Sequence, residues 1–292
     1  MSLVLVTGVG GSAGRNTAKY LADNHVPFVC VDMDKGLASE HPNNFFTVLP
    51  AGNRSFVSGL LRLAKRLKVG LVIPTVEEEL IPLAAAKRRF ERAGIRMVMS
   101  SLRTVRICRD KYRTAKVLGK NGIAVPKSVL VGDIGELETF PVIVKPRAGR
   151  GASGITIFKT KEELAAGLGR FDESFVFQEF IHGKEYDVNL FVHDGKVLVN
   201  QVLLKTELEF GEYGNAAKNG TRAVKNEAIA AFASKVSGVL NFEGPMDIDL
   251  RMIDDETPCL LEINARIGAN VLKAKGVMDN LLRIGTAQTA KR

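Results

Sequence analysis

From Leu3 to Met99 the chain repeats one pattern: a short, almost wholly apolar segment, then a longer stretch with apolar residues at helical spacing. Residues 3–7, 28–32, 45–49, 71–74 and 96–99 read as strands, and residues 13–24, 56–67 and 77–93 as helices. In the second helix Phe56, Leu60, Leu63 and Leu67 share one face. Strands that are apolar on both sides cannot leave a face in water. The pattern therefore predicts a parallel sheet covered by helices on both faces. From Pro141 onward strands follow one another instead, at 142–145, 155–159, 175–180, 186–192 and 196–204. A helix over 227–240 carries Ile229, Phe232, Val236 and Val239 on one face. Strands at 246–252 and 259–264 and a last helix near 271–284 complete the chain. The fold class expected is an α/β N-terminal parallel-sheet domain followed by an α+β domain with an antiparallel sheet, divided near residues 100–109.

Composition narrows the function classes. The chain has 292 residues, 46% apolar and 25% charged, as expected for a globular protein of about two domains. No apolar run reaches the length of a membrane span, and the N-terminus lacks a basic region and a small-residue cleavage site, so neither membrane nor export is expected. Cys30, Cys108 and Cys259 are widely spaced, odd in number and without zinc spacing. Buried reduced thiols and a cytoplasmic address are the expectation. The net charge of +9 favours anionic partners, and Lys87–Lys120 holds twelve Lys or Arg against two acids. Apolar positions at Leu102, Val105, Val117 and Leu118 make that stretch read as solvated helices, not as a nucleic-acid surface.

Two glycine-rich loops differ in context. Gly8-Val9-Gly10-Gly11-Ser12-Ala13-Gly14 joins a strand to a helix, with Asp32 ending the next strand. That arrangement suits a phosphate or a dinucleotide, and equally suits glycines that only permit close strand-to-helix packing. Gly149-Arg150-Gly151-Ala152-Ser153-Gly154 is flanked by strands on both sides, which excludes a dinucleotide-binding turn. A glycine hairpin with Lys145 at the end of its leading strand is instead the geometry of a flap over a triphosphate.

In Met246-Asp247-Ile248-Asp249-Leu250-Arg251-Met252 apolar and polar residues alternate strictly. Glu262, Asn264 and Arg266 share a face of the following strand. A turn centred between Asp255 and Glu256 sets Asp249 opposite Glu262 and Asp247 opposite Asn264. Opposed carboxylates repel unless a cation lies between them, and an all-oxygen ligand set suits Mg²⁺ or Mn²⁺.

Taken together, Lys145, the glycine hairpin, Gln178-Glu179-Phe180-Ile181-His182-Gly183-Lys184-Glu185 and Glu262-Ile263-Asn264-Ala265-Arg266 resemble the ATP-grasp superfamily, and within it the carbamoyl-phosphate-synthetase-like ligases. Residues 3–14 and 73–80 look like that group's pre-ATP-grasp domain. Asp110-Lys111 with Gly122-Ile123-Ala124-Val125-Pro126 looks like the start of its ATP-binding half. The resemblance implies a pre-ATP-grasp domain over 1–103 and an ATP-grasp domain over 104–292, with a lid-like subdomain at about 125–182. It implies a Mg-ATP-dependent ligase that joins a small carboxylate to an amine or ammonia through an acyl phosphate. Lys111, Lys145, Gly149, Gly151, Ser153 and Gly154 would hold phosphates. Gln178, Glu179 and Ile181 would form the adenine hinge, and Glu185 would accept from ribose hydroxyls. Asp249, Glu262 and Asn264 would hold magnesium, and Arg266 would act with Lys145 on the transferring phosphoryl group. Ser12, Arg15, Thr75 and Glu77 are then candidate substrate contacts, although Glu77–Glu79 also reads as an acidic helix N-terminus. Ala265 stands where the group usually has proline. Residues 205–222, with Gly211, Gly214 and Gly220, read as a loop over the site in which Lys205, Lys218 or Arg222 touches phosphate or substrate. A homodimer is the default at this size. Two competing readings remain: a nicotinamide-dependent oxidoreductase using the first loop and Asp32, and a non-catalytic ATP-binding regulator.

Overall fold

Four parallel strands, β1 (Leu3–Thr7), β2 (Phe28–Asp32), β3 (Phe45–Thr47) and β4 (Val69–Ile73), form the first sheet in the order β3-β2-β1-β4. The computed structural model describes residues 2–40, 43–149, 153–208, 213, 220–254 and 256–287. Both faces of this sheet are covered, which is why its strands are apolar throughout. On one face Leu5, Val31 and Val72 pack with Phe56 and Leu60 of α2 (Phe56–Arg66) and with Leu83 and Phe90 of α3 (Glu77–Arg92). On the other, Val4, Val6, Cys30 and Leu71 pack with Leu21 of α1 (Ser12–Asp23).

The expected strand at 96–99 is reduced to a single bridge between Leu71 and Arg96. The reason lies just beyond it. Ser100 Oγ donates to the Glu243 carbonyl at 2.9 Å and accepts from the Glu243 amide at 2.8 Å, drawing the chain off the sheet edge. Helices α4 (Leu102–Arg109) and α5 (Lys111–Lys120) follow, capped by Ser101 and Asp110 through bonds to Thr104 N at 3.2 Å and Arg113 N at 3.1 Å.

A small antiparallel sheet, β5-β8-β6-β7, is built from β5 (Ser128–Val129), β6 (Val142–Pro146), β7 (Thr156–Phe158) and β8 (Phe175–Glu179), with α6 (Lys161–Gly167) against it. It has its own core of Val142, Val144, Phe158, Leu164 and Phe177. The third sheet is antiparallel, in the order β11-β10-β9-β12-β13. Its strands are β9 (Glu185–His193), β10 (Lys196–Lys205), β11 (Thr221–Ala223), β12 (Gly244–Ile253) and β13 (Thr257–Asn264). Helix α7 (Glu227–Val239) packs Ile229, Ala233 and Val236 onto it.

The last helix, α8 (Lys275–Gly285), returns to the N-terminal sheet, where Val277, Met278 and Leu281 close the second face beside α1. Tyr20 donates to Asp279, and Arg96 Nη1 donates to the Ile284 carbonyl at 2.7 Å. The three cysteines are buried and unpaired.

The first glycine loop is closed on itself. Asp32 accepts from Gly10 N at 2.9 Å and from Asp34 N at 3.1 Å, and a Cβ on Gly14 would lie 2.2 Å from the Gly8 carbonyl oxygen. Gly14 thus serves close packing of α1 on the end of β1. Gly14→Val should therefore destabilise the protein by about 1–3 kcal/mol, or more where the backbone cannot yield. Urea unfolding measures the loss, and an unchanged midpoint would contradict the close approach.

Candidate active site

Three strands bring the polar residues together. In the pairing of β12 with β13, Asp249 faces Glu262 and Asp247 faces Asn264, as expected from the turn. A bulge between Asp249 and Leu250 shifts the register beyond that point. Strict alternation would turn Leu261 away from the face of Glu262. Yet both line the same cleft, as a bulge allows by re-aiming a side chain. On its other edge β12 pairs with β9, which sets Asp187 opposite Asp249 and Asn189 opposite Asp247. Asp187 escaped the sequence reading, although Asp187 and Asn189 alternate with Tyr186, Val188 and Leu190 just as the acids of β12 alternate with its apolar residues.

Cations interleave with these acids. Lys205 places Nζ 2.6 Å from Asp249 Oδ1 and 2.7 Å from Glu185 Oε1, and its side chain is only 7% exposed. It is the last residue of β10, a buried strand end and not part of a covering loop. Arg222 lies in β11, whereas Gly211, Gly214 and Lys218 lie outside the described residues. Lys111 opens α5, held there by the Asp110 cap, and Asp110 is itself paired with Arg147 at 2.6 Å. Its Nζ reaches Glu262 Oε2 at 3.2 Å and donates to the Gly149 carbonyl at 2.9 Å. Lys145, at the end of β6, is buried.

The charges disturb one another strongly. Burial pushes the Lys145 ammonium down to about 8, with Glu262 opposing the shift. Burial would raise Glu262, but Lys111 and Lys145 outweigh it and hold the carboxyl at about 2. Asp249 rises to about 7: burial drives it up, Lys205 pulls it down, and Asp247 and Glu262 push it further up. Asp247 is raised well above the carboxylate range by burial and by Asp187. Shifted titrations of this kind cluster at functional sites and also accompany structural ion-pair networks.

An open cleft of about 820 Å³ runs from this cluster between the two antiparallel sheets. Its far part is lined by Pro126, Ile143, Ile155, Phe180, Ile181 and Leu261. Gln178, also on the wall, is buried; its Nε2 donates to Ser128 Oγ at 2.7 Å, and its Oε1 has no partner among the described residues. Glu179 lines the cleft but turns its carboxylate to Lys127 N at 3.1 Å and Thr139 Oγ1 at 2.8 Å, and its own amide donates to the Lys127 carbonyl at 3.1 Å. Glu185 is gripped by Lys205 and by Arg251 Nε at 2.9 Å, so a ribose hydroxyl would share its oxygens. Gly149, Ser153 and Gly154 lie along the cleft or in the turn beside it, with Gly154 at φ +74°; Gly151 lies outside the described residues.

Asn264 and Arg266 flank the cleft without lining it. Arg266 Nη2 donates to Asn264 Oδ1 at 3.1 Å, and Arg266 Nη1 stands 3.6 Å from Asp247 Oδ2. The four candidate substrate contacts separate. Ser12 and Arg15 are exposed, with Arg15 Nη1 donating to the Gly10 carbonyl at 2.6 Å. Thr75 is buried and donates to the Thr7 carbonyl at 2.6 Å, joining the ends of β4 and β1. Glu77 alone of the four is turned toward the cluster, within the electrostatic reach of Lys111, Glu262 and Arg266.

Asp249, Glu262 and Asn264 fit a hard divalent cation: they are in register on adjacent strands, offer only oxygen donors, and now lean on ammonium and guanidinium groups for compensation. The apolar end of the cleft fits a flat ring, and the lysines fit phosphates.

Comparison with known proteins agrees with this geometry. The family described as "ATP-grasp domain" matches residues 108–270. Human beta-citrylglutamate synthase B is 26% identical over 195 residues, covering 62% of this chain and 50% of that protein. The carbamoyl-phosphate synthase of Methanobrevibacter smithii is 23% identical over 261 residues, covering 85% of this chain and 70% of that protein. The chain thus spans about half the length of the first of these relatives. The D-alanine–D-alanine ligase of Bacillus anthracis, solved in complex with ATP, superposes with a TM-score of 0.64 at 17% identity, covering 98% of each chain. That last likeness is one of fold. Among the described residues no helix is long and apolar enough to cross a membrane.

Breaking a buried ion pair by removing one partner costs about 3–5 kcal/mol. Lys205→Met should approach that loss in magnesium-free buffer and recover part of it on addition of Mg²⁺. Urea midpoints measured with and without the ion test this. Loss without recovery would contradict Asp249 as a metal ligand.

Proposed function

The chain belongs to the ATP-grasp family, and on that premise we propose that it is a Mg-ATP-dependent ligase joining a small carboxylate to an amine or ammonia through an acyl phosphate. One observation carries the reading: Lys111, Lys145 and Lys205 converge with Asp249 and Glu262 at one end of a cleft whose other end is apolar. Residues 1–103 then form the substrate-side unit and 104–292 the nucleotide-side unit, with about 125–182 as the lid.

In this reading the adenine lies among Ile143, Phe180, Ile181 and Leu261, and the free Gln178 Oε1 accepts its amino group. The remaining edge contacts come from the Glu179 carbonyl and the Ile181 amide, since the Glu179 amide is bonded to the Lys127 carbonyl and the Ile181 carbonyl to Arg251 Nη1. Lys111 and Lys145 hold the phosphates, with Gly149 and Ser153 close enough to offer backbone amides. Asp249, Glu262 and Asn264 hold Mg²⁺ or Mn²⁺, which when bound neutralises phosphate charge and screens the acids from one another. Lys205 is then released from Asp249 to face the transferring group.

The chemistry needs no side-chain nucleophile. A carboxylate oxygen of the substrate attacks the γ-phosphorus, the bond to the β-phosphate oxygen breaks, and ADP leaves. The amine then attacks the acyl carbon, its proton is lost, and phosphate departs. Arg266, fixed beside Asn264, offsets the charge that develops on the transferring phosphoryl group. The pKa of Lys145, lowered to about 8, is that of the ligand-free protein, and phosphates arriving beside the ammonium would raise it again.

ADP formation should therefore require both a carboxylate and an amine. Glu262→Gln, which keeps the shape and removes the charge, should lower it by about a hundredfold or more. A coupled ADP assay across a panel of carboxylates and amines checks this. Full turnover in Glu262→Gln would refute the metal assignment, and tight Mg-ATP binding with no ADP from any pair would favour a regulatory protein.

A further inference from the structure

One arginine ties together the parts of the cleft wall that lie toward its apolar end. Arg251 of β12 stands directly opposite Glu185, the first residue of β9, so the backbone ladder sets the two side chains next to each other. Both line the cleft, and Arg251 is 5% exposed. Its Nε donates to Glu185 Oε2 at 2.9 Å, and its Nη2 stands 2.8 Å from the same oxygen. Its Nη1 donates to the Ile181 carbonyl at 2.6 Å, and the guanidinium carbon lies 5.0 Å from the centre of the Phe180 ring.

These contacts bracket one peptide unit. The Ile181 amide belongs to the bond between Phe180 and Ile181. Arg251 holds the Phe180 ring on one side of that bond and the Ile181 carbonyl on the other. The residues that follow are pressed onto the same strand. The Met252 amide donates to the Lys184 carbonyl at 3.1 Å, and at Gly183, where φ is +122°, a Cβ would lie 2.0 Å from the Met252 carbonyl oxygen. The link from β8 to β9 is thus seated on the end of β12.

Stability alone does not call for this arginine. A buried ion pair is often no better for stability than apolar side chains of the same volume. What a guanidinium does, and an aliphatic chain or a single ammonium does not, is satisfy a carbonyl and a carboxylate at once in a fixed plane. In the ligase reading those two acceptors serve different parts of one ligand: the Ile181 segment meets the purine edge, and Glu185 meets the ribose hydroxyls.

We infer that Arg251 is a positioning residue for the nucleoside, holding the Ile181 amide and the Glu185 carboxylate in one fixed relation so that base and ribose are read together. The inference rests on the nucleotide placement in the ligase reading and adds to it a residue that acts through two others. Arg251 occupies Glu185 Oε2, whereas Oε1 is held by Lys205 at 2.7 Å. When Lys205 turns to the phosphates, Oε1 is the oxygen left for a ribose hydroxyl.

The test uses the whole protein with saturating Mg²⁺. Isothermal titration compares a non-hydrolysable ATP analogue with its 2′,3′-dideoxy counterpart, which lacks both ribose hydroxyls. Wild type should bind the first about tenfold tighter, the worth of a hydrogen bond to a charged group. Arg251→Met should weaken the ATP analogue by about tenfold or more and bring the ratio between the two ligands close to one. Arg251→Lys retains a charge for the buried Glu185, and with it the fold, and should shift both readings the same way by a smaller amount. An arginine that only stabilised the fold would weaken both ligands equally. A ratio that stays at the wild-type value in the variants, unchanged affinity for the ATP analogue, or a wild type indifferent to the hydroxyls would overturn the inference. In each of those cases Mg²⁺-dependent binding of the ATP analogue leaves the ligase reading standing. Arg251-dependent discrimination with no ADP formed from any carboxylate and amine would sustain the inference and sink the ligase reading.

Discussion

The structure turns on a row of carboxylates that three hydrogen-bonded strands hold side by side. Asp187, Asp249 and Glu262 come from β9, β12 and β13, with Asp247 next in line, and the backbone ladders leave them no freedom to drift apart. In a low dielectric such a row is unfavourable without positive charge laced through it. Lys205, Lys111 and Arg266 supply that charge in the ligand-free chain. The cluster is thus preloaded: cations are already in place where a metal and a polyphosphate would bring their own balance of charge. The apolar side of the same sheet, Val188, Leu190, Ile248 and Leu250, packs under α7 and the N-terminal helices and fixes the ladder against rearrangement.

Much of this was legible in the sequence because alternation and turn geometry are local signals. The facing of Asp249 with Glu262 followed from counting back from one turn, and all four strands of the parallel sheet were visible as apolar runs. What escaped depends on partners far away in the chain. Asp187 becomes part of the acid row only because β9, not a later strand, lies beside β12. Lys205 read as part of a loop because nothing nearby in sequence shows that Glu185 and Asp249 wait for it. The segment at 96–99 had the composition of a strand and lost its place to two hydrogen bonds between Ser100 and Glu243, which are far apart in the chain. The bulge that turns Leu261 into the cleft is likewise invisible to strict alternation.

The N-terminal sheet contributes differently. In its first glycine loop Asp32 accepts from Gly10 N, and Gly14 lets α1 approach the end of β1 closely. Thr75 is used in the same way, tying β4 to β1. At its rim Glu77 meets Arg109 from the next helix and the charges of the third sheet. Helix α8 returns across the molecule to close the other face, so the chain's last helix secures the sheet with which the chain begins.

The central claim is that a cation-balanced acid row, with Lys145 beside it, is a Mg-nucleotide site. The most direct measurement is thermal unfolding with a non-hydrolysable ATP analogue, with and without Mg²⁺, beside NADH and NADPH. At about a hundred times its dissociation constant a ligand stabilises the fold by about 2.7 kcal/mol, a shift easily seen. The account predicts a clear rise with the ATP analogue that needs Mg²⁺ and is lost in Lys145→Ala. A rise with NADH or NADPH alone, or one with the ATP analogue indifferent to Mg²⁺ and to Lys145, would contradict it.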